Sequence, residues 1–105
     1  MNETLDRLEA VIAERRNASA DSSYVASLFA KGREKIAQKV GEEATETVIA
    51  ALSGDPAKLT AEAADLLFHL MILLAEGGLS INDVLDEIEQ REGISGIMEK
   101  ASRKK

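Results

Sequence analysis

Apolar positions recur along this chain at helical rather than strand spacing. Leu5, Leu8, Val11 and Ile12 share one side of a helix predicted over 3–16, with Asn2 as N-cap and Arg15 and Arg16 against the negative end of its dipole. Asn17 to Ser23 is small and polar and reads as a loop. Tyr24, Val25, Leu28 and Phe29 predict a short helix from Ser23 to Lys31, stopped at Gly32, which accepts positive φ. Ile36, Val40, Ala44, Thr47, Val48 and Ala51 line one side of a longer helix over 33–52, ended by Ser53-Gly54. Asp55-Pro56 restarts the chain as N-cap and first helical residue, where proline's missing N–H costs nothing. This helix runs to about Glu76 and halts at Gly77-Gly78. Ser80 with Asp83 approximates a capping box for a last helix, about 81–91, carrying Ile81, Val84, Leu85 and Ile88. A loose tail is expected over 94–105.

With 105 residues the chain is long enough for one core, so a single domain over 1–105 is expected. Hydrophobic residues make up 45% and aromatics only 3%, so that core must be built from Leu, Ile, Val and Ala. The fold class is therefore all-α, a small bundle of four to five helices. The run Leu66 to Leu74 is apolar on nearly all sides, and a helix with no polar side needs a further partner; a homodimer with this helix central is the expectation. From Leu66 to Ala75 the near-apolar run spans about half of the ~20 residues a membrane crossing needs.

The formal net charge is −6, and four of the 13 basic residues fall in the last six positions, leaving nine against 19 acids in the rest. An acidic body repels phosphate backbones, which argues against nucleic acid as the main partner. The absence of cysteine excludes disulfides, thiolate metal sites and cysteine nucleophiles. Met1-Asn2-Glu3-Thr4 lacks the basic start and apolar core of a signal peptide, so a cytoplasmic location is expected.

Two carboxylate clusters then change the picture: Glu42-Glu43-x-x-Glu46 on the third helix and Glu62-x-x-Asp65 on the fourth. Residues three apart are neighbours on a helix surface, so each cluster can aim two acids at one point. The short loop between the helices makes them antiparallel neighbours and sets the clusters face to face. Each pair alone is common; the two on consecutive helices, the second opening into a buried run, favour a site. Like charges about 4 Å apart cost several kcal/mol at surface-like dielectric, so the acids must protonate or take a cation. An all-oxygen set suits Mg²⁺, with Mn²⁺ as a substitute, completed by substrate phosphates. Glu43 is expected to be partly buried, between the charged stripe and Ile36 and Val40.

Acids alone would repel such a substrate. Just before them stand Lys31, Arg33, Lys35 and Lys39 against only Glu34, basic residues that could hold outer phosphates or could simply pair with Glu42, Glu43 or Glu46 along the helix. His69, the one histidine, lies in an apolar run and reads as a hydrogen-bonded core or interface side chain rather than a ligand. Gly41 costs its helix about 1 kcal/mol relative to Ala, which suggests either close approach by a neighbour or simple tolerance.

Ser23-Tyr24-Val25-Ala26-Ser27-Leu28-Phe29, Lys39-Val40-Gly41-Glu42-Glu43-Ala44-Thr45-Glu46 and Glu62-Ala63-Ala64-Asp65-Leu66-Leu67-Phe68-His69-Leu70 resemble the phosphoribosyl-ATP pyrophosphatase family of histidine biosynthesis. That family belongs to the all-α nucleotide pyrophosphatases that include the MazG-like enzymes, which share only the EExxE and ExxD acids. The resemblance implies hydrolysis of phosphoribosyl-ATP to phosphoribosyl-AMP and pyrophosphate, dependent on Mg²⁺, by a helical homodimer. It implies Glu43, Glu46, Glu62 and Asp65 as metal ligands and Lys39 as a phosphate contact; the basic cluster before the acids offers Lys35 or Arg33 as its helper on the leaving pyrophosphate. Glu42 is implied either to orient or deprotonate the attacking water, or to act as a supporting or dimer-contact residue. Tyr24 is implied in ligand contact or loop ordering. Two rival readings stand beside this one: a MazG-like pyrophosphohydrolase of ordinary or damaged nucleoside triphosphates, and a non-catalytic helical dimerisation module. A carboxylate-bridged di-iron bundle is set aside, since it needs Glu-x-x-His twice.

Overall fold

The computed structural model describes residues 2–92, and the tail expected to be loose lies outside them. Five helices and no strand occur among the described residues: α1 (Glu3–Arg16), α2 (Tyr24–Lys31), α3 (Arg33–Ser53), α4 (Pro56–Glu76) and α5 (Ile81–Glu92). The protein is all-α.

Each boundary has a local cause. The Asn2 side chain accepts from the backbone N–H of Thr4 and Leu5, satisfying two donors that α1 cannot satisfy internally. Ser23 caps α2 through Ala26, and Gly32 ends it at φ 95°, where a β-carbon would be strained. Gly54 closes α3 at φ 79°, and the Asp55 carboxylate then caps α4 ahead of Pro56. α4 ends in a Schellman motif: Gly78 sits at φ 78°, Leu79 donates to the Leu74 carbonyl, and Gly78 donates to that of Ala75. The expected capping box of α5 is half formed. Ser80 N–H donates to Asp83 Oδ2, but the Ser80 hydroxyl is engaged by Asn82 N–H and by Glu9, whose other oxygen accepts from Ile81 N–H. A carboxylate on α1 thus adds a bond at Ile81 to the cap that Ser80 and Asp83 themselves form.

α3 and α4 form an antiparallel hairpin that is the main packing unit, and α1 and α2 pack on one half of it. Facing pairs keep one register: Arg33 pairs with Glu76 at the open end, Glu43 meets Asp65 midway, and Ala50 and Leu59 share a notch near the loop. Ile12, Val25, Leu28, Ile36, Met71, Ile72 and Ile81 make the core, so it sits at the open end of the hairpin. Arg16 ties this end together, with its guanidinium 4.4 Å from the Phe29 ring centre and 3.1 Å from the Ala75 carbonyl oxygen.

The other half of the hairpin is different. Val48, Ile49 and Leu52 on α3 are 58%, 61% and 84% exposed, and Leu59 and Leu67 on α4 join them at the surface. The stripe expected to run inward through Val48 and Ala51 thus lacks a partner among the described residues. Conversely, much of Leu66–Leu74 is covered: Met71 and Ile72 are buried, and Leu73 and Leu74 are partly buried against the core. The uncovered apolar surface lies nearer the loop than the sequence suggested, because α1, α2 and α5 cover the far end of α4. No single helix among the described residues is long and apolar enough to cross a membrane.

Candidate active site

The midpoint of the hairpin is where the acids meet. One carboxylate oxygen each from Glu43, Glu62 and Asp65 lie within 4.8 Å of one another, with Glu43 and Glu62 half-buried and Asp65 exposed. The i, i+3 step sets Glu62 and Asp65 on one face of α4, and the hairpin register places Glu43 opposite. Burial, followed by the charges of Glu46, Asp65 and Glu43, pushes the Glu62 carboxyl above its ordinary range. Glu46 stands outside the tight group but close enough to act on Glu62. This mutual repulsion is what a dication would relieve, and the donors are all hard oxygens, so the residues fit a divalent ion of the Mg²⁺ or Ca²⁺ class. They offer no nitrogen or sulfur ligand to favour a softer metal.

Lys39 borders the group one turn before Glu43. Its ammonium lies 3.3 Å from Glu42 Oε1 and 3.9 Å from Glu43 Oε2. The hydrogen bond to Glu42 holds the ammonium pKa above its usual value. Glu42 is not part of the acid group: Gln38 donates to its Oε2 at 2.7 Å and Lys39 to its Oε1, and these two bonds hold its carboxyl below the usual range. Lys35 is near enough to add to that effect. Arg33 is not brought to the site. It pairs with Glu76 at the open end of the hairpin, ten residues or roughly 15 Å of helix from Glu43.

Beyond the acids toward the loop, a groove of about 300 Å³ is lined by Glu46, Ile49, Ala50, Ser53, Lys58 and Glu62. Ser53 and Lys58 carried no sequence signal for a binding groove; they line it because α3 and α4 pack side by side there. On the opposite side, His69 is 6% exposed and bonded through both ring nitrogens, to the Asp65 carbonyl and to the Tyr24 hydroxyl, each at 2.7 Å. The hydrogen-bonded core reading of His69 holds, but its partner Tyr24 is 45 residues away and no local pattern announces it. A β-carbon on Gly41 would meet nothing within 4 Å, so no neighbour among the described residues requires glycine there.

Comparison with known proteins agrees with this geometry. The phosphoribosyl-ATP pyrophosphohydrolase family matches residues 5–92. The chain is 64% identical over 105 residues to the phosphoribosyl-ATP pyrophosphatase of Rhizorhabdus wittichii, covering 100% of this chain and 99% of the relative. It is 63% identical over 100 residues to that of Erythrobacter litoralis, covering 95% and 96% of the two chains. The Methylococcus capsulatus protein of the same name is 53% identical over 102 residues, covering 97% of each. With its acids gathered on the hairpin and the match spanning every described helix, the chain belongs to the phosphoribosyl-ATP pyrophosphohydrolase family, a family of hydrolases.

Proposed function

We propose that this protein hydrolyses phosphoribosyl-ATP to phosphoribosyl-AMP and pyrophosphate, a step of histidine biosynthesis in the cytoplasm, with Mg²⁺ as the ion and Mn²⁺ as a substitute. The observation that carries the proposal is the convergence of Glu43, Glu62 and Asp65 within 4.8 Å beside Lys39, in a chain matched by the family over 5–92. Glu43, Glu62 and Asp65 would hold the ion, with Glu46 as the outer fourth acid. Held by these residues, such an ion would supply Lewis-acid chemistry, polarising a phosphoryl oxygen and acidifying a water molecule.

The chain's own residues divide the remaining work. Lys39 is the cation nearest the acids, and once Glu43 is committed to an ion its ammonium is free to meet the leaving pyrophosphate. Of the two roles open to Glu42, support is the better supported: both its oxygens are occupied and its pKa is held low, which makes it a poor proton acceptor but a good anchor for Lys39. Lys35 adds positive charge behind Lys39. Arg33, committed to Glu76, acts in the fold.

The uncovered stripe of Val48, Ile49, Leu52, Leu59 and Leu67 is assigned to a second copy of the chain. It adjoins Glu46 and the groove at Lys58, so the second copy would wall one side of the site. Pyrophosphate release measured with phosphoribosyl-ATP and with a panel of ordinary nucleoside triphosphates tests the proposal. Turnover of phosphoribosyl-ATP is expected to exceed that of the panel; preference for a common triphosphate would favour the MazG-like alternative.

A further inference from the structure

The chemistry above leaves the groove on the loop side of the acids without a task. Its volume of about 300 Å³ is small for a ligand pocket and suits a sugar phosphate rather than a whole nucleotide. Glu46 and Glu62 line the end that meets the acid group, and Ser53 and Lys58 the end toward the loop. Between them Ala50 and Ile49 supply an apolar wall; the outer side of Ile49 belongs to the stripe assigned to the second copy. The Ser53 hydroxyl is already engaged, donating to the Ala50 carbonyl at 2.7 Å and accepting from Asp55 N–H at 3.2 Å. Lys58 is the one cation lining the groove, and its ammonium makes no ion pair among the described residues.

Two lysines therefore flank the acids. Lys39 precedes Glu43 by four residues on α3, and Lys58 precedes Glu62 by four on α4. Because the helices run antiparallel, Lys39 is rooted toward the open end of the hairpin and Lys58 toward the loop. At the helical rise, the root of Lys58 lies roughly 6 Å from that of Glu62 and roughly 10 Å from that of Asp65 along α4. With pyrophosphate leaving at Lys39 and the scissile bond at the acids, the retained part of the nucleotide extends the other way, into the groove. Phosphoribosyl-ATP ends there in a second phosphate, on its second ribose; an ordinary nucleoside triphosphate has none to place. Glu46 and Glu62 repel such a group from the near end of the groove, and Lys58 attracts it at the far end.

We infer that Lys58 is a specificity-determining residue, whose ammonium takes the phosphate of the phosphoribosyl group in the groove between α3 and α4. This deepens the proposed function and rests on its reading of the substrate. It gives that reading a structural cause, since the groove rewards the one phosphate that ordinary triphosphates lack.

The experiment is calorimetry on the full-length wild type, Lys58→Ala and Lys58→Arg with Mg²⁺ present, titrating phosphoribosyl-AMP, AMP and pyrophosphate. Wild type is expected to bind phosphoribosyl-AMP about tenfold or more tighter than AMP, as a charge-assisted contact provides. Lys58→Ala is expected to erase that preference while leaving AMP and pyrophosphate affinities unchanged, and Lys58→Arg to keep most of it. A Lys58→Ala variant that keeps the preference overturns the inference. So does one that weakens all three ligands alike, the result expected if Lys58 only balances the charge of Glu46 and Glu62. Lys58 lies at the surface, so the variant is expected to melt as wild type does, and these affinities report on the groove. Wild type that prefers phosphoribosyl-ATP in turnover, with the preference intact in Lys58→Ala, refutes the inference alone. Wild type that prefers a common triphosphate in turnover refutes the substrate reading, and the inference with it.

Discussion

Glu62 shows most plainly how a site opposes the fold that carries it. Its carboxyl is crowded by Glu43, Glu46 and Asp65, so without an ion its charge is a liability. Glu62→Gln is therefore expected to raise the melting temperature in metal-free buffer and to abolish the further rise that Mg²⁺ gives the wild type. Differential scanning fluorimetry with and without Mg²⁺ reads both; an unchanged Mg²⁺ response would remove Glu62 from the ligand set. The approach of Glu43 to Glu62 and Asp65 was legible in the sequence because helical periodicity and a short loop place them without long-range information, whereas Glu46, expected to converge with them, stands outside the group. Arg33 and the Tyr24–His69 pair were not, since their partners lie 43 and 45 residues away and are chosen by tertiary packing. Glu42 falls between: its spacing to Gln38 and Lys39 is local, but only geometry shows that both oxygens are taken.

Helix boundaries were read almost to the residue because glycine, proline and short polar side chains act locally. Gly32, Gly54 and Gly78 adopt the positive φ that ends a helix, and Asp55-Pro56 can hardly do other than begin one. At α5 Ser80 and Asp83 cap as their spacing suggests, and Glu9, reaching in from another helix, adds bonds that no local pattern announces. Gly41 is the exception within α3: it sits mid-helix with open space around it. Gly41→Ala is expected to stabilise the chain by about 1 kcal/mol, raising the melting temperature by about 4–8 °C. A fall instead, read in the same melting experiment, would show that something beyond the described residues approaches α3 at that point.

The core gathers at one end of the hairpin and leaves the other end with its apolar side chains in water. An exposed stripe that includes Leu52 and Ile49 is too costly to leave to solvent in a chain of this size, which is why a second copy is assigned to it. Leu52→Asp is expected to convert a dimer to a monomer in size-exclusion chromatography with light scattering, and to lower activity if the second copy walls the groove at Lys58. A wild type that is already monomeric would refute the assignment. The sequence pattern placed the surface in want of a partner on Leu66–Leu74, since a one-dimensional pattern cannot show which stretch of α4 its own neighbours reach.

The account stands on acids of α3 and α4 jointly holding one divalent ion. Titration with Mn²⁺ followed by electron paramagnetic resonance, on wild type, Asp65→Asn and Arg33→Ala, tests that claim most directly. Binding is expected to weaken by at least about tenfold in Asp65→Asn, as loss of a ligand should exceed loss of an outer partner, and to be unchanged in Arg33→Ala. Equal affinity in wild type and Asp65→Asn would contradict it.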